Sequence, residues 1–499
     1  MNLQDVENLI RPNIVKMKPY VCARHNVNAG VLLNANENPN GKYNRYPDPM
    51  ASELKNALSK FVNVAPEMIM ATNGSDEAID LIMRMFGQPG KDSILVLEPT
   101  FGMYQLYAEI NDLALESVML DENFQIDLSA VLKKIEEQPE IKIIFFCSPN
   151  NPTGNCMRSE DILTICEKFS GVVVVDEAYI EFSDQESLVR GIDQYPNLIV
   201  LRTLSKAWAA ASLRIGYMVA QKEIITNFYR IKPPYDIGGE NQRVAIELLQ
   251  GEMKTKEILE NKKKLKNDLE GMGLKIYPSD SNFFLMQIPQ AQKIYTRLVE
   301  KGIIVRDRSD QIKNCLRVTI GTTEECDLLL ENLKQILKKV AFIDRDGVVL
   351  FEPQDDFQVD SLEKYKMLPG VIEGLKKLQN AGYSLVMVSN QNGIGTLSFP
   401  EENFLLPQNK MIADLAAGGV EFDEIFVCPH FATDGCECRK PKTGLVKKYL
   451  EENPIDYSAS FVIGDRMTDV ELAENMGVKG YKIETNSDGL LQTINQLLL

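Results

Sequence analysis

Short, continuous apolar runs recur along the first half of the chain and are separated by stretches with helical periodicity. Helical patterns cover residues 52–61 and 77–86. The apolar runs do not alternate with polar residues, which is typical of strands that are buried on both faces of a parallel sheet. Turn residues bound each run. The pattern predicts an α/β fold with a mostly parallel sheet, whose strands begin near Ser93, Lys142, Gly171 and Leu198.

The alternation changes after about residue 240. Lysine-rich helical sequence continues to about residue 271, and apolar segments at residues 281–288 and 314–321 predict strands of a smaller α+β subdomain. A helix over residues 324–339 ends this unit. The amino-terminal residues up to about 40 are irregular, and we expect them to pack with this subdomain.

A new apolar strand begins at Val340 without a flexible linker before it. Further apolar runs begin at Tyr383, Glu424 and Ser460 and predict a second α/β unit. The predicted organisation is therefore a large domain over roughly residues 41–245, a small subdomain over roughly residues 1–40 and 246–339, and a second domain over residues 340–499.

Composition narrows the class of protein. The chain has 499 residues, enough for two or three buried cores, and its net charge of −17 argues against nucleic-acid binding, which needs an excess of Lys and Arg. No apolar run approaches the ~20 residues of a membrane span. The first seven residues lack the basic and apolar parts of a signal peptide. Nine cysteines, scattered except near Cys436, favour a reducing compartment, so we expect a cytoplasmic protein.

The residues around Lys206 provide the groups that pyridoxal 5′-phosphate needs. Lys206 lies among small and apolar residues and can form a Schiff base with the cofactor aldehyde. Asp176 ends a run of four valines and can keep the ring nitrogen protonated, while Asn151 and Tyr179 can donate to the ring oxygen O3′. Each residue alone is typical of a turn or helix cap. Their occurrence in order at predicted strand ends favours a cofactor site.

The cofactor phosphate requires main-chain N–H groups at a helix start and a nearby cation. The candidate helix start is Gly74, Ser75 and Asp76, which follow a turn signal. Ser205 adds a hydroxyl group and Arg214 adds a positive charge.

Six segments carry a resemblance to a known family: Leu-Asn-Ala-Asn-Glu, Asn-Arg-Tyr-Pro, Pro-Thr-Phe-Gly-Met-Tyr, Cys-Ser-Pro-Asn-Asn-Pro-Thr-Gly, Asp-Glu-Ala-Tyr-Ile-Glu-Phe and Arg-Thr-Leu-Ser-Lys-Ala. Residues 1–339 resemble histidinol-phosphate aminotransferase, a fold-type I transaminase. The resemblance implies that Phe101 stacks on the pyridine ring and that Tyr46 reaches the cofactor phosphate of a partner subunit, hence a homodimer. It also implies that Arg317 holds the substrate carboxylate, and that Tyr20 and Arg306 lie near the substrate phosphate.

A different chemistry begins directly after the strand at Val340. Asp344 and Asp346 are two residues apart, so an extended chain points both side chains the same way. Asp344 can form an aspartyl phosphate, and Asp346 can protonate the leaving group and then activate water. A second acidic pair, Asp465 and Asp469, again follows an apolar strand. We predict a Mg²⁺ site formed by Asp344, Asp346 and Asp465.

Two further residues and a short loop complete this second predicted site. Ser389 ends a strand and can donate to a phosphoryl oxygen, and Lys440 can offset the carboxylate charge. The loop before Lys440 contains three thiols and one of only two histidines, a set suited to tetrahedral Zn²⁺. The predicted zinc ligands are Cys428, His430, Cys436 and Cys438.

The order of these elements resembles the haloacid dehalogenase phosphatases. Asp-Phe-Gln-Val-Asp, Ser-Asn-Gln-Asn-Gly-Ile-Gly-Thr-Leu-Ser-Phe-Pro and Cys-Arg-Lys-Pro-Lys extend the resemblance to the histidinol-phosphatase domain. It implies a Rossmann-like domain over residues 340–499. Heptose bisphosphate phosphatases share the zinc loop and are the nearest alternative.

The two resemblances together predict a bifunctional enzyme. Imidazole acetol phosphate would be aminated by glutamate, and the resulting histidinol phosphate would then be dephosphorylated. One alternative keeps both chemistries but changes the substrates, for example an aromatic or phosphothreonine-like aminotransferase beside a sugar phosphatase. A second alternative makes residues 340–499 a zinc-stabilised binding or dimerisation module.

Overall fold

The computed structural model describes residues 2–24 and 30–499. The chain forms two compact units. The first comprises Met1–Lys264, Ile276–Gln287 and Arg306–Thr323, and the second comprises Leu265–Lys275, Ile288–Val305 and Glu324–Leu499. Three segments before residue 340 therefore cluster with the second unit, whereas the sequence places them in the first domain. The boundary at residues 339 and 340 stays a prediction about sequence organisation.

Helices and strands alternate along most of the chain. The helices are α1 (Leu3–Glu7), α2 (Pro12–Val15), α3 (Ser52–Val62), α4 (Gly74–Phe86), α5 (Met103–Ile110), α6 (Leu128–Glu137), α7 (Ser159–Lys168), α8 (Lys222–Phe228), α9 (Gly239–Leu249), α10 (Lys256–Gly271), α11 (Ala291–Glu300), α12 (Thr323–Ile336), α13 (Val371–Asn380), α14 (Glu401–Ala417), α15 (Gly444–Glu452), α16 (Met467–Met476) and α17 (Gly489–Leu497). The strands are β1 (Ile69–Asn73), β2 (Ser93–Glu98), β3 (Ala114–Met119), β4 (Ile141–Cys147), β5 (Val172–Asp176), β6 (Leu198–Thr203), β7 (Ile215–Val219), β8 (Lys275–Ile276), β9 (Phe283–Gln287), β10 (Arg306–Asp307), β11 (Cys315–Thr319), β12 (Lys339–Ile343), β13 (Tyr383–Asn390), β14 (Glu424–Cys428), β15 (Phe461–Gly464) and β16 (Lys479–Lys482).

A seven-stranded sheet in the order β1-β7-β6-β5-β4-β2-β3 organises the first unit. Five strands are parallel, and β7 pairs antiparallel with both of its neighbours, β1 and β6. Successive residues of β5 enter different cores, with Val173 and Val175 on one face and Val172 and Val174 on the other. Both faces are thus covered, which confirms the predicted α/β class with a mostly parallel sheet.

The amino-terminal residues do not pack as the sequence analysis expects. Val6, Ile10 and Ile14 are buried in one of the two cores of the seven-stranded sheet, together with Met85 and Phe228. The prediction that this segment joins the small subdomain is therefore wrong for these residues. Their apolar side chains are four positions apart, and the short helices α1 and α2 direct Val6 and Ile14 towards this core.

A small antiparallel sheet in the order β10-β11-β9-β8 provides the other part of the first site. Arg306 on β10 is paired with Arg317 on β11, and Arg317 is paired with Leu285 on β9. This register places two arginines side by side, although they are eleven positions apart in the sequence.

The second unit contains a five-stranded parallel sheet in the order β14-β13-β12-β15-β16. Residues of β12 alternate between two cores, since Ala341 and Ile343 pack with α13, α14 and α17, while Val340 and Phe342 pack with α15 and α16. Helices therefore cover both faces, as in other doubly wound sheets. In such sheets ligands bind at the carboxyl ends of the strands, and Asp344 directly follows β12.

The sequence pattern missed six strands, β1, β3, β7, β8, β10 and β16. β3 and β16 are edge strands with mixed polar sequences, so they lack the continuous apolar run of a central strand. The predicted helix over residues 240–271 is two helices, because Gly251 and the polar residues after it separate α9 from α10.

Two candidate active sites

The first site lies at the carboxyl ends of three neighbouring parallel strands. Asn151 follows β4, Asp176 ends β5 and Lys206 follows β6. They line a cavity of about 360 Å³. The other side chains predicted from the sequence that line this cavity are Ser75, Asp76, Phe101, Tyr179, Ser205, Arg214, Arg306 and Arg317.

Asp176 is held as a buried hydrogen-bond acceptor. Tyr104 Oη donates to Asp176 Oδ2 at 3.0 Å, and the main-chain N–H of Ala178 donates to Oδ1 at 3.1 Å. Burial raises the pKa of Asp176 to about 6, despite the lowering effect of these two bonds. A buried carboxylate of this kind favours a cationic partner, such as a protonated ring nitrogen, directly beside it.

Lys206 is positioned as an amine rather than as part of an ion pair. Within residues 2–24 and 30–499 its ammonium makes no hydrogen bond, and Nζ lies 5.5 Å from the centroid of the Tyr179 ring. Burial, followed by the positive charge of Arg317, lowers the pKa of Lys206. A lower pKa increases the fraction of neutral amine, the form that attacks a carbonyl carbon.

Arg317 extends over the cavity from β11. Its Nη1 donates to Asn151 Oδ1 at 2.5 Å, and its guanidinium lies 5.2 Å from the centroid of the Phe283 ring. Arg317 Nε is buried and has no acceptor among the described residues. Arg317 lines the cavity, and its guanidinium suits a carboxylate ligand.

Two glycines allow the amino terminus of α4 to lie close to strand β7 and to Arg214. A Cβ atom at Gly216 would lie 2.3 Å from the main-chain nitrogen of Ser75, and one at Gly74 would lie 2.5 Å from Arg214 Nη2. Arg214 Nη2 pairs with Asp76 Oδ2 at 2.9 Å. The result is a helix start with a hydroxyl, a guanidinium and free N–H groups, a common setting for phosphate.

Two residues implied by the resemblance lie outside this cavity. Tyr20 lines a separate apolar groove with Pro49 and Tyr229. Tyr46 is half exposed and stacks on Tyr235, with 4.5 Å between ring centroids. Their predicted roles at a substrate or a partner's cofactor would need a second copy of the chain, and they stay predictions.

The sequence analysis missed four residues that line the cavity, Cys147, Ala178, Thr203 and Arg308. It also missed Tyr104, which lies behind Asp176 and does not line the cavity. Tyr104 is completely buried on α5 and acts through its bond to Asp176. Arg308 follows Arg306 by two residues, so an extended strand directs both to one side. That spacing was the only signal available for Arg308, whereas nothing in the sequence distinguishes Tyr104 from an ordinary core tyrosine.

The first cavity fits pyridoxal phosphate by the chemistry of its donor set. It offers an amine with a lowered pKa, a buried carboxylate without a cationic partner and a glycine-lined helix start. Lys206 would hold the aldehyde carbon, Asp176 the ring nitrogen, Asn151 and Tyr179 the ring oxygen, and the start of α4 with Ser205 and Arg214 the phosphate.

The second site centres on Lys440, which is buried among acceptors. Its Nζ lies 2.8 Å from Asp344 Oδ1 and 2.7 Å from Asp469 Oδ1, and it donates to the main-chain oxygen of Val388 at 2.8 Å. Lys440 therefore offsets the charge of two buried carboxylates, Asp344 and Asp469. Its role as a substrate ligand stays a prediction.

Asp346 lies beside Asp344 and has a different set of partners. Arg345 Nη1 donates to Asp346 Oδ1 at 2.8 Å, and Gln391 Nε2 donates to Asp346 Oδ2 at 2.5 Å. Gln391 Nε2 also donates to Ser389 Oγ at 2.8 Å. Asp346 and Ser389 both line a cavity of about 570 Å³ that also includes Asp344 and Lys440.

Three carboxylates come close enough to share a cation: Asp344, Asp465 and Asp469, whose ligand atoms lie within 4.8 Å of one another. Asp465 Oδ1 is buried without a hydrogen-bond donor among the described residues. This oxygen-only set fits Mg²⁺. The predicted ligand set named Asp346 in place of Asp469. The Asp346 carboxylate instead accepts hydrogen bonds from Arg345 and Gln391.

Burial raises the pKa of Asp344 to about 7, against the lowering effect of Lys440. A bound cation would favour the ionised form, which is the nucleophilic one.

The predicted zinc ligands form one cluster at the end of β14. Cys428 Sγ lies 3.7 Å from Cys436 Sγ and 3.2 Å from Cys438 Sγ, and His430 Nδ1 lies 3.2 Å from Cys438 Sγ. Zinc–sulfur bonds of about 2.3 Å place two thiolates of a tetrahedron about 3.8 Å apart. The four side chains therefore fit Zn²⁺ after a small increase in their separations. The group of Asp344, Asp465 and Asp469, by contrast, offers only oxygen ligands.

The geometry of the first site agrees with the family to which residues 22–333 are matched. The chain belongs to the class I and II aminotransferase family, whose pattern matches residues 22–333. Among its relatives, the histidinol-phosphate aminotransferase of Parabacteroides distasonis is 44% identical over 345 residues, which are 67% of this chain and 99% of the relative. That of Cytophaga hutchinsonii is 47% identical over 345 residues, 66% of this chain and 98% of the relative.

Solved structures support the same fold. The histidinol-phosphate aminotransferase from Clostridium acetobutylicum aligns with a TM-score of 0.54 and 23% identity, covering 59% of this chain and 91% of that one. The enzyme from Sinorhizobium meliloti, solved in complex with pyridoxal-5′-phosphate, aligns with a TM-score of 0.54 and 23% identity, covering 58% and 82%. At these identities the likeness concerns the fold alone, which is the predicted fold-type I architecture.

The second half matches a different family from the one its motifs suggested. Residues 339–483 match the polynucleotide kinase 3 phosphatase family. The expected haloacid dehalogenase histidinol-phosphatase assignment is therefore not the one that the comparison returns. No helix in residues 2–24 and 30–499 is both long and apolar enough to cross a membrane.

Proposed function

We propose that the chain carries two enzymes that act in sequence. The first transfers the amino group of L-glutamate to imidazole acetol phosphate, giving L-histidinol phosphate and 2-oxoglutarate. The second, a haloacid dehalogenase-type phosphatase, hydrolyses L-histidinol phosphate to L-histidinol and phosphate. One product is then the next substrate, which gives a reason for both sites to occur in one chain.

Relatives named histidinol-phosphate aminotransferase, matched over almost their entire length at 44–47% identity, carry the first activity. Pyridoxal phosphate, when bound, supplies the electrophilic aldehyde and the electron sink that amino-group transfer requires. Lys206 would move the proton at the reacting carbon, because its neutral amine is favoured by burial. Asp176 would keep the ring nitrogen protonated, and Arg317 would hold the substrate carboxylate.

The charge of the cavity supports a substrate with two anionic groups. Arg306, Arg308 and Arg317 all line it, and in the described part of the chain none of them forms an ion pair with a carboxylate. Each of the pKa values of Arg308 and Arg317 is lowered, mainly by burial and further by the neighbouring guanidinium groups. The phosphate group of imidazole acetol phosphate or the carboxylates of glutamate would relieve this repulsion.

The grouping of Asp344, Asp346, Lys440 and Asp465 around one cavity carries the second activity. Asp344 would attack phosphorus while the ester P–O bond breaks, and Asp346 would give its proton to the leaving alkoxide. Water would then attack the aspartyl phosphate, with Asp346 taking the proton, and phosphate would leave as Asp344 is regenerated. Mg²⁺ at Asp344, Asp465 and Asp469 would neutralise phosphoryl charge.

The zinc cluster would have a structural role beside this site. Cys438 precedes Lys440 by two residues, and the main-chain oxygen of Cys428 accepts a bond from the N–H of Gln391 at 2.8 Å. A closed four-ligand zinc site would therefore fix two segments of the phosphatase cavity.

Other properties of the proposal rest on the resemblance and on composition. We propose a cytoplasmic homodimer, with Tyr46 acting at the cofactor phosphate of the partner subunit and Tyr20 acting near the substrate phosphate. Zn²⁺ and Mg²⁺ are part of this proposal.

Other substrates for the second site make distinct predictions. Its family match brings a 3′-phosphorylated polynucleotide into consideration. The net charge of −17 opposes such a substrate, because binding to a nucleic-acid backbone requires a basic surface. A heptose bisphosphate is the other alternative for this site, and an aromatic keto acid is the alternative for the first.

The test is phosphate release by the purified protein given imidazole acetol phosphate, with and without glutamate. We expect release only when glutamate is present, since the phosphatase should require the aminated product. Lys206→Ala should abolish phosphate release from imidazole acetol phosphate but leave hydrolysis of added histidinol phosphate intact. Asp344→Asn should abolish phosphate release but leave 2-oxoglutarate formation intact. Faster release from a heptose bisphosphate or a 3′-phosphorylated oligonucleotide would contradict the proposed second substrate.

A further inference from the structure

Gln391 connects two groups of the second site through one amide nitrogen. Its Nε2 donates to Asp346 Oδ2 at 2.5 Å and to Ser389 Oγ at 2.8 Å. The side chain is 3% exposed, so water does not compete strongly for these bonds. Neither the fold nor the family comparison assigns a role to this residue.

The backbone of Gln391 is fixed as firmly as its side chain. Its N–H donates to the main-chain oxygen of Cys428 at 2.8 Å, and the next ladder bond has Gly393 N–H donating to Pro429 at 2.7 Å. Asn390, on its other side, accepts from the main-chain N–H of Lys440 at 3.0 Å. Gln391 therefore cannot follow a displaced Asp346, and it holds the carboxylate in one place.

The bonds of Gln391 also determine which atoms remain available for chemistry. Because Ser389 Oγ accepts from Gln391, its own O–H is directed elsewhere, and Ser389 lines the cavity. Asp346 Oδ1 accepts from Arg345, so its two oxygens are held from opposite directions. Rotation of the carboxylate away from the leaving group would break at least one of these bonds.

We propose that Gln391 is the positioning residue for proton transfer by Asp346. This inference rests on the proposed phosphatase function. In the step concerned, the ester P–O bond breaks while the P–O bond to Asp344 forms, and the leaving alkoxide takes the proton of Asp346. Without the amide of Gln391, the carboxylate keeps only its bond from Arg345 and can rotate about it, so that the alkoxide would leave unprotonated.

Leaving-group dependence separates this role from a general effect on folding. The alkoxide of histidinol is strongly basic and needs a proton to leave, whereas 4-nitrophenolate is weakly basic and leaves without one. The ratio kcat/KM reports only the steps up to release of the alcohol, so it excludes the later hydrolysis of the aspartyl phosphate. A loss of positioning should therefore affect the two esters unequally.

The experiment compares the full chain with Gln391→Met, which keeps the length of the side chain but removes the amide. For histidinol phosphate we expect kcat/KM to fall by about 10²-fold, the usual contribution of a general acid. For 4-nitrophenyl phosphate we expect a fall of less than about fivefold. The matched control is Gln379→Met on α13, whose amide donates to the main-chain oxygen of Glu421, and it should leave both values unchanged.

Aminotransferase activity and zinc content, measured on the same samples, report whether the variant is folded. If Gln391→Met does not fold, Gln391→Glu serves instead, because it keeps the size and polarity but replaces the donor that faces Asp346. Equal losses for both esters in a folded variant would overturn the inference. If the wild-type protein hydrolyses neither ester, both the proposed phosphatase and the role of Gln391 are contradicted. If the wild type is active but Gln391→Met loses activity equally for both esters, only the role of Gln391 is contradicted.

Discussion

Burial changes the acid–base behaviour of individual residues in both sites. The pKa of Asp176 is raised to about 6 by burial, and that of Asp344 to about 7 for the same reason. Asp344 already has the Lys440 ammonium beside it, whereas Asp176 forms no ion pair among the described residues. A further cation bound beside either carboxylate would favour its ionised form.

We predict that pyridoxal phosphate stabilises the protein more at pH 8 than at pH 5, and that Asp176→Asn removes most of this difference. Because burial raises the pKa of Asp176 from 3.8 to about 6, the cofactor-free protein loses up to about 3 kcal/mol of stability as pH rises from about 4 to about 6, and about half of this loss falls between pH 5 and pH 8. A protonated ring nitrogen offsets that cost only where Asp176 is ionised. Thermal unfolding with and without cofactor at both pH values measures the effect. A pH dependence that is identical in the variant would contradict it.

Lys440→Met should destabilise the second unit strongly in the absence of divalent cations. The substitution leaves Asp344 and Asp469 buried without their shared ammonium, and breaking a buried pair typically costs about 3–5 kcal/mol. Added Mg²⁺ should restore part of this loss, since it can bind the same carboxylates. Denaturant unfolding in EDTA and in Mg²⁺ gives both values. The exposed Lys448→Met provides the control, and an equal loss in both media would argue against a metal at these aspartates.

At the scale of secondary-structure elements, close approach between neighbours shapes the first site. Strand β7 passes so near the start of α4 that only a glycine fits at position 216. This contact orients the helix terminus towards the cavity, where its N–H groups face the expected phosphate.

Gly216→Ala should weaken cofactor binding and lower the free energy of unfolding by about 1–3 kcal/mol, because the added Cβ would lie 2.3 Å from Ser75 N and neither backbone can move aside easily. Gly238→Ala is the control, since a Cβ there meets no atom within 4 Å. Cofactor titration followed by absorbance, with denaturant unfolding, measures both effects. Similar results for the two variants would show that the contact is not restrictive.

The loop that contains Cys428, His430, Cys436 and Cys438 is proposed to depend on bound zinc for its order. Cys438→Ser should abolish stoichiometric zinc binding and reduce phosphatase activity, since the loop fixes the segment that contains Lys440. Amino-group transfer should be unaffected. Zinc content by metal analysis and the two activities provide the measurement, with Cys22→Ser as the control. Full phosphatase activity in a zinc-free variant would refute the structural role.

At the scale of the whole molecule, the first site is proposed to require two copies of the chain. Tyr46 and Tyr20 line no part of the cavity that contains Lys206 within one chain. We therefore predict complementation between Lys206→Ala and Tyr46→Ala. A hybrid dimer would contain one intact site, so random mixing should restore about a quarter of the wild-type aminotransferase activity.

Refolding the two inactive variants together, and separately as controls, measures this recovery. No recovery, in samples that contain the mixed dimer by mass analysis of differently tagged chains, would place Tyr46 in its own subunit's site or in no site.

The sequence predicted candidate site residues where a reactive side chain lies at or just after the end of a predicted strand. Lys206, Asp176 and Asn151 follow continuous apolar runs, and the parallel topology brings such positions together. Tyr104 and Gln391 were missed because they act on other side chains rather than on a ligand. Their hydrogen bonds join residues 72 and 45 positions apart, and no local pattern reports such pairings.

The sequence by itself determined the α/β class, the strands of the sheet centres, the positions of Lys206 and Asp176 at strand ends and the clustering of Cys428, His430, Cys436 and Cys438, because each depends on local periodicity or on short spacing. Only the tertiary structure decided that Asp469 joins Asp344 and Asp465, that Asp346 turns to Arg345 and Gln391, and that the amino-terminal helices pack on the large sheet. These outcomes depend on which distant groups share a buried space. Burial and competition for hydrogen-bond partners are properties of the folded chain, so they become defined only when the strands have assembled.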